Sequence, residues 1–199
     1  MKNWELYFLL FLQNKIRTKR ANRFWLCVTR LGNGSFLWIL LSVMLLFFPG
    51  TRPAAMHSLV LIAYGEFVIN VVVKRLVQRT RPYDACADLE TVSIRPKDTS
   101  FPSGHTCMGF TMFFLYITEM PFWFSAIVFV IACLIAFSRM YLGVHYPTDI
   151  LGGVFLAVLI YASFTIVSSV PIDPSEGINA RITEKTKYAI TAIDAIDST

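Results

Sequence analysis

The sequence predicts an all-α fold: a polytopic membrane helical bundle of about five transmembrane helices, preceded by N-terminal helices lying in the membrane interface. Three observations predict it. Hydrophobic residues make up 55% of the 199-residue chain and charged residues only 16%, against about 25% charged in soluble globular chains. The mean hydropathy is +0.57. The charges are also confined. Between Phe36 and Val73 only Arg52 and Glu66 are charged, and between Ser103 and Ile172 only Glu119, Arg139 and Asp149. A bilayer core takes about 20 apolar residues per helix, so these two stretches hold about five spans. This composition excludes a disordered chain, a collagen and a nucleic-acid-binding tail. The net charge of +5 is read as a determinant of membrane orientation rather than of nucleic-acid binding.

Residues 1–30 carry Lys2, Lys15, Arg17, Lys19, Arg20, Arg23 and Arg30 against one acid, Glu5. They are too basic to span. Trp4, Tyr7, Phe8, Phe11, Phe24 and Trp25, interleaved with the basic residues, suit interfacial helices. Leu6 to Leu12 is short and follows Glu5, and it lacks the cleavage site of a signal peptide. Residues 31–172 form the transmembrane domain. Its first span is the Leu31–Phe48 region, ended by Pro49-Gly50. The second is Ala54–Val77, the third runs from the Pro102-Ser103-Gly104 break to Glu119, the fourth from Pro121 to about Met140, and the fifth opens at Pro147 and ends before Pro171. Prolines mark these boundaries because they start helices well and continue them badly. The runs are apolar on all faces, without the period-2 alternation of a membrane barrel. Residues 78–102 form a polar loop, and residues 173–199 form a polar tail. Cys27, Cys86, Cys107 and Cys133 fit neither a zinc pattern nor a disulfide framework.

Ionisable residues inside a span are costly and mark candidate sites. Glu66, Asn70 and Lys74 recur every four residues on one helical face, and Arg81 returns nearly to it. Interhelical hydrogen bonding for the first two, and snorkelling for the basic pair, also suit this pattern. Of the three histidines, His57 lacks a functional context, whereas His105 and His145 stand at span mouths. Ser103 as N-cap, with Gly104 behind it, would present free backbone N–H groups, an anion site. Pro147 fits the first helical position of the fifth span, putting Asp149 where its carboxylate reaches back to His145. A carboxylate on one ring nitrogen fixes the tautomer and activates the other. With alternating span directions, Lys74, Arg81, Ser103, His105, Arg139, His145 and Asp149 converge on one membrane face. Three cations, an anion-ready helix terminus and two histidines define a phosphoryl-transfer site, with one histidine attacking and the other protonating the leaving oxygen. No cofactor is expected, and no metal: a two-metal site needs several carboxylates at the mouth, and only Asp149 is so placed.

Lys74-x6-Arg81-Pro82, Pro102-Ser103-Gly104-His105 and Ser138-Arg139-x5-His145-x3-Asp149 resemble the three-part signature of the type 2 phosphatidic acid phosphatase superfamily. The resemblance covers about residues 30–170. It implies a helical bundle that hydrolyses phosphomonoesters or diphosphates without metal, through a phosphohistidine. On that resemblance His145 would be the nucleophile, Asp149 its orienting partner, and His105 the general acid and then the base that activates water. Lys74, Arg81, Ser103, Gly104 and Arg139 would hold the phosphate. Apart from the resemblance, the shared helical face predicts that Glu66 and Asn70 face the bundle and line the pocket below Lys74. The chain's size and the run Leu31-Gly32-Asn33-Gly34 look like the compact bacterial members, which act on undecaprenyl diphosphate, phosphatidylglycerophosphate or related lipids. Larger relatives carry six spans, of which this chain is expected to lack the first.

The expected function is hydrolysis of a lipid phosphate or diphosphate, undecaprenyl diphosphate first. A phosphatidate or phosphatidylglycerophosphate phosphatase is the enzymatic alternative. A non-enzymatic anion transporter is the alternative of another class, and the His–Asp pair argues against it. The expected partners are the lipid substrate and the bilayer, not nucleic acid, and the sequence carries no reading of oligomeric state. The expected location is the cell membrane, multi-pass. Two arguments conflict over sidedness. The N-terminal basic residues share a face with Lys74, Arg75, Arg79, Arg81, Arg95, Lys97 and Arg139, against Arg52, Arg181, Lys185 and Lys187 opposite. That favours a cytoplasmic site by the positive-inside rule. The resemblance favours an outward-facing site, and several of those cations are catalytic candidates; the outward orientation is taken as the expectation.

Overall fold

The structure, a computed structural model, describes residues 4–92 and 95–169. The chain divides into two compact units, Met1–Phe164 and Thr165–Thr199; of the second only residues 165–169 are described. The expected polar tail over 173–199 lies outside the described residues.

Among the described residues the fold is all helix and carries no strand. Helix α1 (Trp4–Phe11) continues through a π-helical turn (Leu12–Ile16), and α2 is Lys19–Leu31. Thr18 caps α2 through the backbone N–H of Ala21. A short 3-10 turn (Asn33–Ser35) leads into α3 (Phe36–Leu46). Gly34 and Ser35 both adopt positive φ there, and α2 and α3 meet at 53°. After Pro49–Thr51 comes α4 (Arg52–Phe67), extended by a π-helical stretch (Val68–Val73) and the last turn α5 (Lys74–Leu76). The short α6 (Pro82–Ala85) lies in the loop before α7 (Gly104–Glu119), α8 (Phe122–Tyr141) and α9 (Pro147–Ser168).

Helix α7 is the hub. Thr106, Cys107, Met108, Gly109, Thr111, Met112, Leu115 and Tyr116 are all buried, covering almost every direction around its axis. Its neighbours α8 and α9 each bury a stripe, and α8 also buries Ser138 and Tyr141 away from that stripe. In α8 the stripe is Ser125, Val128, Ala132, Ile135 and Arg139, and in α9 it is Ile150, Gly153, Ala157 and Ile160, the three-and-four spacing of a helix face. The outer faces stay apolar, with Phe122, Trp123, Leu151 and Phe155 exposed, as suits lipid as the solvent. Small residues set the closest approaches. A Cβ on Gly109 would lie 3.1 Å from Ala132 Cβ, and one on Gly153 would lie 2.8 Å from the carbonyl oxygen of Ser103.

Among the described residues three helices are long and apolar enough to cross a membrane: Pro49–Leu76, Phe122–Tyr141 and Pro147–Ser168. A fourth is counted if the bent pair α2–α3 is one span. The difference from the expected five has a physical cause at each remaining span. The bend at Asn33–Ser35 leaves α3 with 11 residues, about 17 Å at 1.5 Å per residue. Helix α7 has 16 residues, about 24 Å by the same rise, and bundle packing rather than lipid surrounds it.

The N-terminal segment is both exposed and buried. Trp4, Tyr7 and Phe11 are exposed, while Leu9 and Leu12 are buried with Leu89 and Tyr146. Arg17 Nε donates to the carbonyl of Tyr141 at 3.0 Å, and Gln13 Nε2 donates to the carbonyl of Asp88 at 2.9 Å. Residues 4–17 are thereby fastened to the loops at one end of the bundle.

Candidate active site

One cavity of about 200 Å³ lies at the bundle end where α5, α7, α8 and the α8–α9 loop meet. Glu66, Asn70, Lys74, Arg81, Asp98, Gly104, His105, Arg139 and His145 are on its wall. Each element delivers its residue for a local reason. Arg81 precedes Pro82, which starts α6 and holds Arg81 extended. Ser103 caps α7, its Oγ accepting from Thr106 N at 3.5 Å and from Thr106 Oγ1 at 3.0 Å. Gly104 and His105 thus stand in the first turn, where backbone N–H groups have no helical partner. Ser103 itself is fully buried beneath the wall, where its hydroxyl engages Thr106.

Tyr146 precedes α9, with Pro147 in its first position and Asp149 in its third. Asp149 Oδ2 accepts from Tyr146 N at 2.8 Å, half of a capping box. The same oxygen lies 3.5 Å from His145 Nδ1, an ion-pair distance longer than a hydrogen bond. On the other side of the ring, His145 Nε2 lies 3.4 Å from an Arg81 guanidinium nitrogen and faces the cavity. Both His145 and Asp149 are buried. Burial, set against the pull of Asp149 and reinforced by the charges of Arg139 and Arg81, lowers the His145 pKa to about 4.

The cations are held individually. Arg81 donates to the carbonyls of Asp98 and Val144 and to Asp98 Oδ1 at 2.6 Å. Lys74 Nζ donates to Asn70 Oδ1 at 3.1 Å and to Asp98 Oδ2 at 2.5 Å. Arg139 donates to Thr29 Oγ1, and its buried Nε has no hydrogen bond among the described residues. Glu66 accepts from Ser35 Oγ at 2.6 Å and from Asn70 Nδ2 at 2.7 Å. A hydrogen-bonded row therefore runs Ser35, Glu66, Asn70, Lys74, Asp98, Arg81. Partial burial raises the Asp98 pKa, but hydrogen bonds and charge from Lys74 and Arg81 outweigh it and bring the carboxyl down to about 2. His105 Nε2 lies 2.9 Å from Asn33 Oδ1, a contact that orients the ring.

The cavity gathers every residue singled out in the sequence except Ser103, beneath its wall, and Asp149, behind His145. Sequence reasoning missed Asp98 and Asn33. Asp98 lies in a polar loop whose folding back onto Lys74 leaves no local pattern. Asn33 carried a signal, the Gly-Asn-Gly run at the head of the first span. Among the described residues no group of three or more His, Cys, Asp or Glu side chains is placed to hold a metal.

A helical membrane bundle with two histidines, one backed by a carboxylate, and three cations around a small polar cavity defines a membrane-embedded phosphatase. Comparison with known proteins agrees. The sequence model of the PAP2 superfamily matches residues 54–170, and the chain belongs to that superfamily. It is 29% identical over 170 residues to an undecaprenyl-diphosphatase of Sulfolobus acidocaldarius, covering 85% of this chain and 81% of the relative. It is 31% identical over 160 residues to phosphatidylglycerophosphatase B of Bacillus subtilis, covering 73% and 74%. The crystal structure of a transmembrane PAP2 type phosphatidylglycerolphosphate phosphatase from Bacillus subtilis superimposes with a TM-score of 0.65 at 26% identity, over 83% of this chain and 84% of that one. LpxE of Aquifex aeolicus shares the fold, with a TM-score of 0.70 at 24% identity over 82% and 95%.

Proposed function

We propose that this membrane lipid phosphatase removes the terminal phosphate of undecaprenyl diphosphate through a phosphohistidine on His145, without metal. The observation that carries the reading is the disposition of the His145 ring, with Nδ1 toward Asp149 and Nε2 toward Arg81 and the cavity. In the first step Nε2 attacks phosphorus. The bond from phosphorus to the bridging oxygen breaks, and His105 gives that oxygen a proton, releasing undecaprenyl phosphate. In the second step water attacks the phosphohistidine, His105 takes its proton, and inorganic phosphate leaves. Lys74, Arg81, Arg139 and the first-turn N–H groups at Gly104 neutralise the equatorial oxygens in both steps, and Ser103 keeps that turn capped. Glu66 and Asn70 line the cavity and steady Lys74. The site faces outward across the cell membrane.

The diphosphate is favoured by the Sulfolobus relative, whose match covers more of this chain than that of the phosphatidylglycerophosphatase. The second reading, a phosphatidylglycerophosphate phosphatase, is favoured by the Bacillus structural neighbour. Phosphate release in detergent, with each lipid and with or without EDTA, tests both. Undecaprenyl diphosphate should be the better substrate, vanadate should inhibit, EDTA should have no effect, and His145→Ala should abolish turnover while the protein stays folded. EDTA inhibition reversed by a divalent metal would sink the mechanism. Absence of phosphate release from every lipid, with anion uptake into proteoliposomes, would turn the reading to transport.

A further inference from the structure

Behind the nucleophile candidate lies a second layer of charge that none of the fixed positions of the three signature segments supplies. Arg79 donates to Asp149 Oδ1 at 2.6 Å and to Thr148 Oγ1 at 2.6 Å. Its other terminal nitrogen donates to Glu5 Oε2 at 2.6 Å. The guanidinium lies over the Tyr146 ring, 4.0 Å from its centroid. Glu5 Oε1 accepts from the backbone N–H of Thr148 at 3.1 Å and from its hydroxyl at 2.6 Å. The backbone carbonyl of Arg79 takes the N–H of Ser100, and the Ser100 hydroxyl donates to Asp149 Oδ2.

We propose that Arg79 and Glu5 are positioning residues for the His145–Asp149 pair, and that α1 is thereby a working part of the active site. This rests on His145 being the nucleophile. Asp149 is wholly buried and Glu5 is 6% exposed. Two buried carboxylates facing one N-terminus of α9 repel each other unless a cation lies between them, and Arg79 is that cation. Its planar fork can serve both carboxylates at once, which an ammonium cannot do. Glu5 completes the cage by capping α9 from outside the helix, one residue before Asp149. With Arg79 removed, Asp149 Oδ1 loses its charged donor and the carboxylate is free to turn away from His145 Nδ1. With Glu5 removed, the Arg79 fork loses one of its two carboxylate anchors. Leu9 and Leu12, buried against Leu89 and Tyr146, hold α1 in the place this requires.

The test uses full-length protein in detergent and whichever of undecaprenyl diphosphate and phosphatidylglycerophosphate the wild type turns over. Arg79→Gln should lower kcat about 100-fold, with KM changed less than about 3-fold, in the range seen when the partner orienting a catalytic ligand is lost. Arg79→Lys should recover part of that loss, because the charge on Asp149 is kept. Glu5→Gln should cost about 10-fold alone and almost nothing more on top of Arg79→Gln, since residues acting as one unit are not additive. A role confined to fastening α1 predicts a lower melting temperature with normal kcat, no rescue by lysine and multiplicative effects; any of these would overturn the proposal. Should Arg79→Gln fail to fold, wild-type kcat in both Arg79→Lys and Glu5→Gln would overturn it equally. His145→Ala separates the two layers of argument. If that variant keeps turnover, the nucleophile reading has failed. If it is inactive while Arg79→Gln keeps full kcat, only the positioning role has failed.

Discussion

His145 is the residue on which the electrostatics bear most directly. Burial, opposed by Asp149 and helped by Arg139 and Arg81, takes its pKa from 6.5 to about 4. As the proposed nucleophile, His145 must be unprotonated to attack, so kcat/KM should fall as pH drops through about 4, with a slope of one proton. The stability consequence has a definite sign. Between about 4 and 6.5 the unfolded chain binds the proton and the folded one does not, so stability rises with pH across that window. The His145 contribution is complete above 6.5 and is lost as pH falls through about 4. A series of melting temperatures against pH checks this, and His145→Gln should flatten it there. At this scale the signature residues were legible because each has a chemical type that is costly in an apolar chain. Glu5 was not. In sequence it is a lone acid among basic residues, and only its burial against Arg79 and Thr148 reveals a partner.

At the scale of elements, glycine positions translate into catalytic geometry. Gly32 ends α2, and a Cβ there would lie 2.6 Å from His105 Cδ2, below any real contact. Gly32→Ala should therefore displace the His105 ring and lower kcat by more than about 10-fold, since small misplacements of a reacting group cost about two orders of magnitude. The melting temperature should move little by comparison. Steady-state rates and a thermal melt on one preparation decide it; unchanged kcat would show that the ring has room to move. Helix starts at Gly104 and Pro147 and stops near Tyr141 were readable from caps and prolines. The π-helical stretch Val68–Val73 was not, because its sequence is an unbroken apolar run equally suited to an α-helix. Nor was the bend at Asn33–Ser35, where the expected first span divides. Ser35 at φ +56° is not foretold by its type, since positive φ favours glycine.

The whole molecule can be oriented by chemistry on one thiol. Cys86 is half-buried in the loop that follows α6, on the active-site end. In a variant keeping only Cys86, a membrane-impermeant maleimide should label intact cells or spheroplasts, as the outward-facing proposal requires. Labelling only after permeabilisation would place the site in the cytoplasm. The membrane class was legible from charge confinement alone. The span count was not, because hydropathy does not say whether an apolar run is continuous helix or which helix the others surround. The docking of residues 4–17 onto the loops was also hidden, since aromatic and basic interleaving describes exposed Trp4 and Phe11 but says nothing of Leu9 and Leu12 beneath them.

The salt bridges from Lys74 and Arg81 to Asp98 give the cavity a counter-ion of its own. On the proposed function, an arriving phosphate does not fall into an open well of positive potential; it exchanges places with a carboxylate already in residence. Much of its Coulombic gain is offset by parting those pairs, so ground-state grip is traded for turnover. Inorganic phosphate left behind after the second step faces the same competitor at a tethered, intramolecular concentration. On that reading Asp98 would make product departure an ion exchange rather than a bare dissociation, the site clearing itself as the loop carboxylate returns.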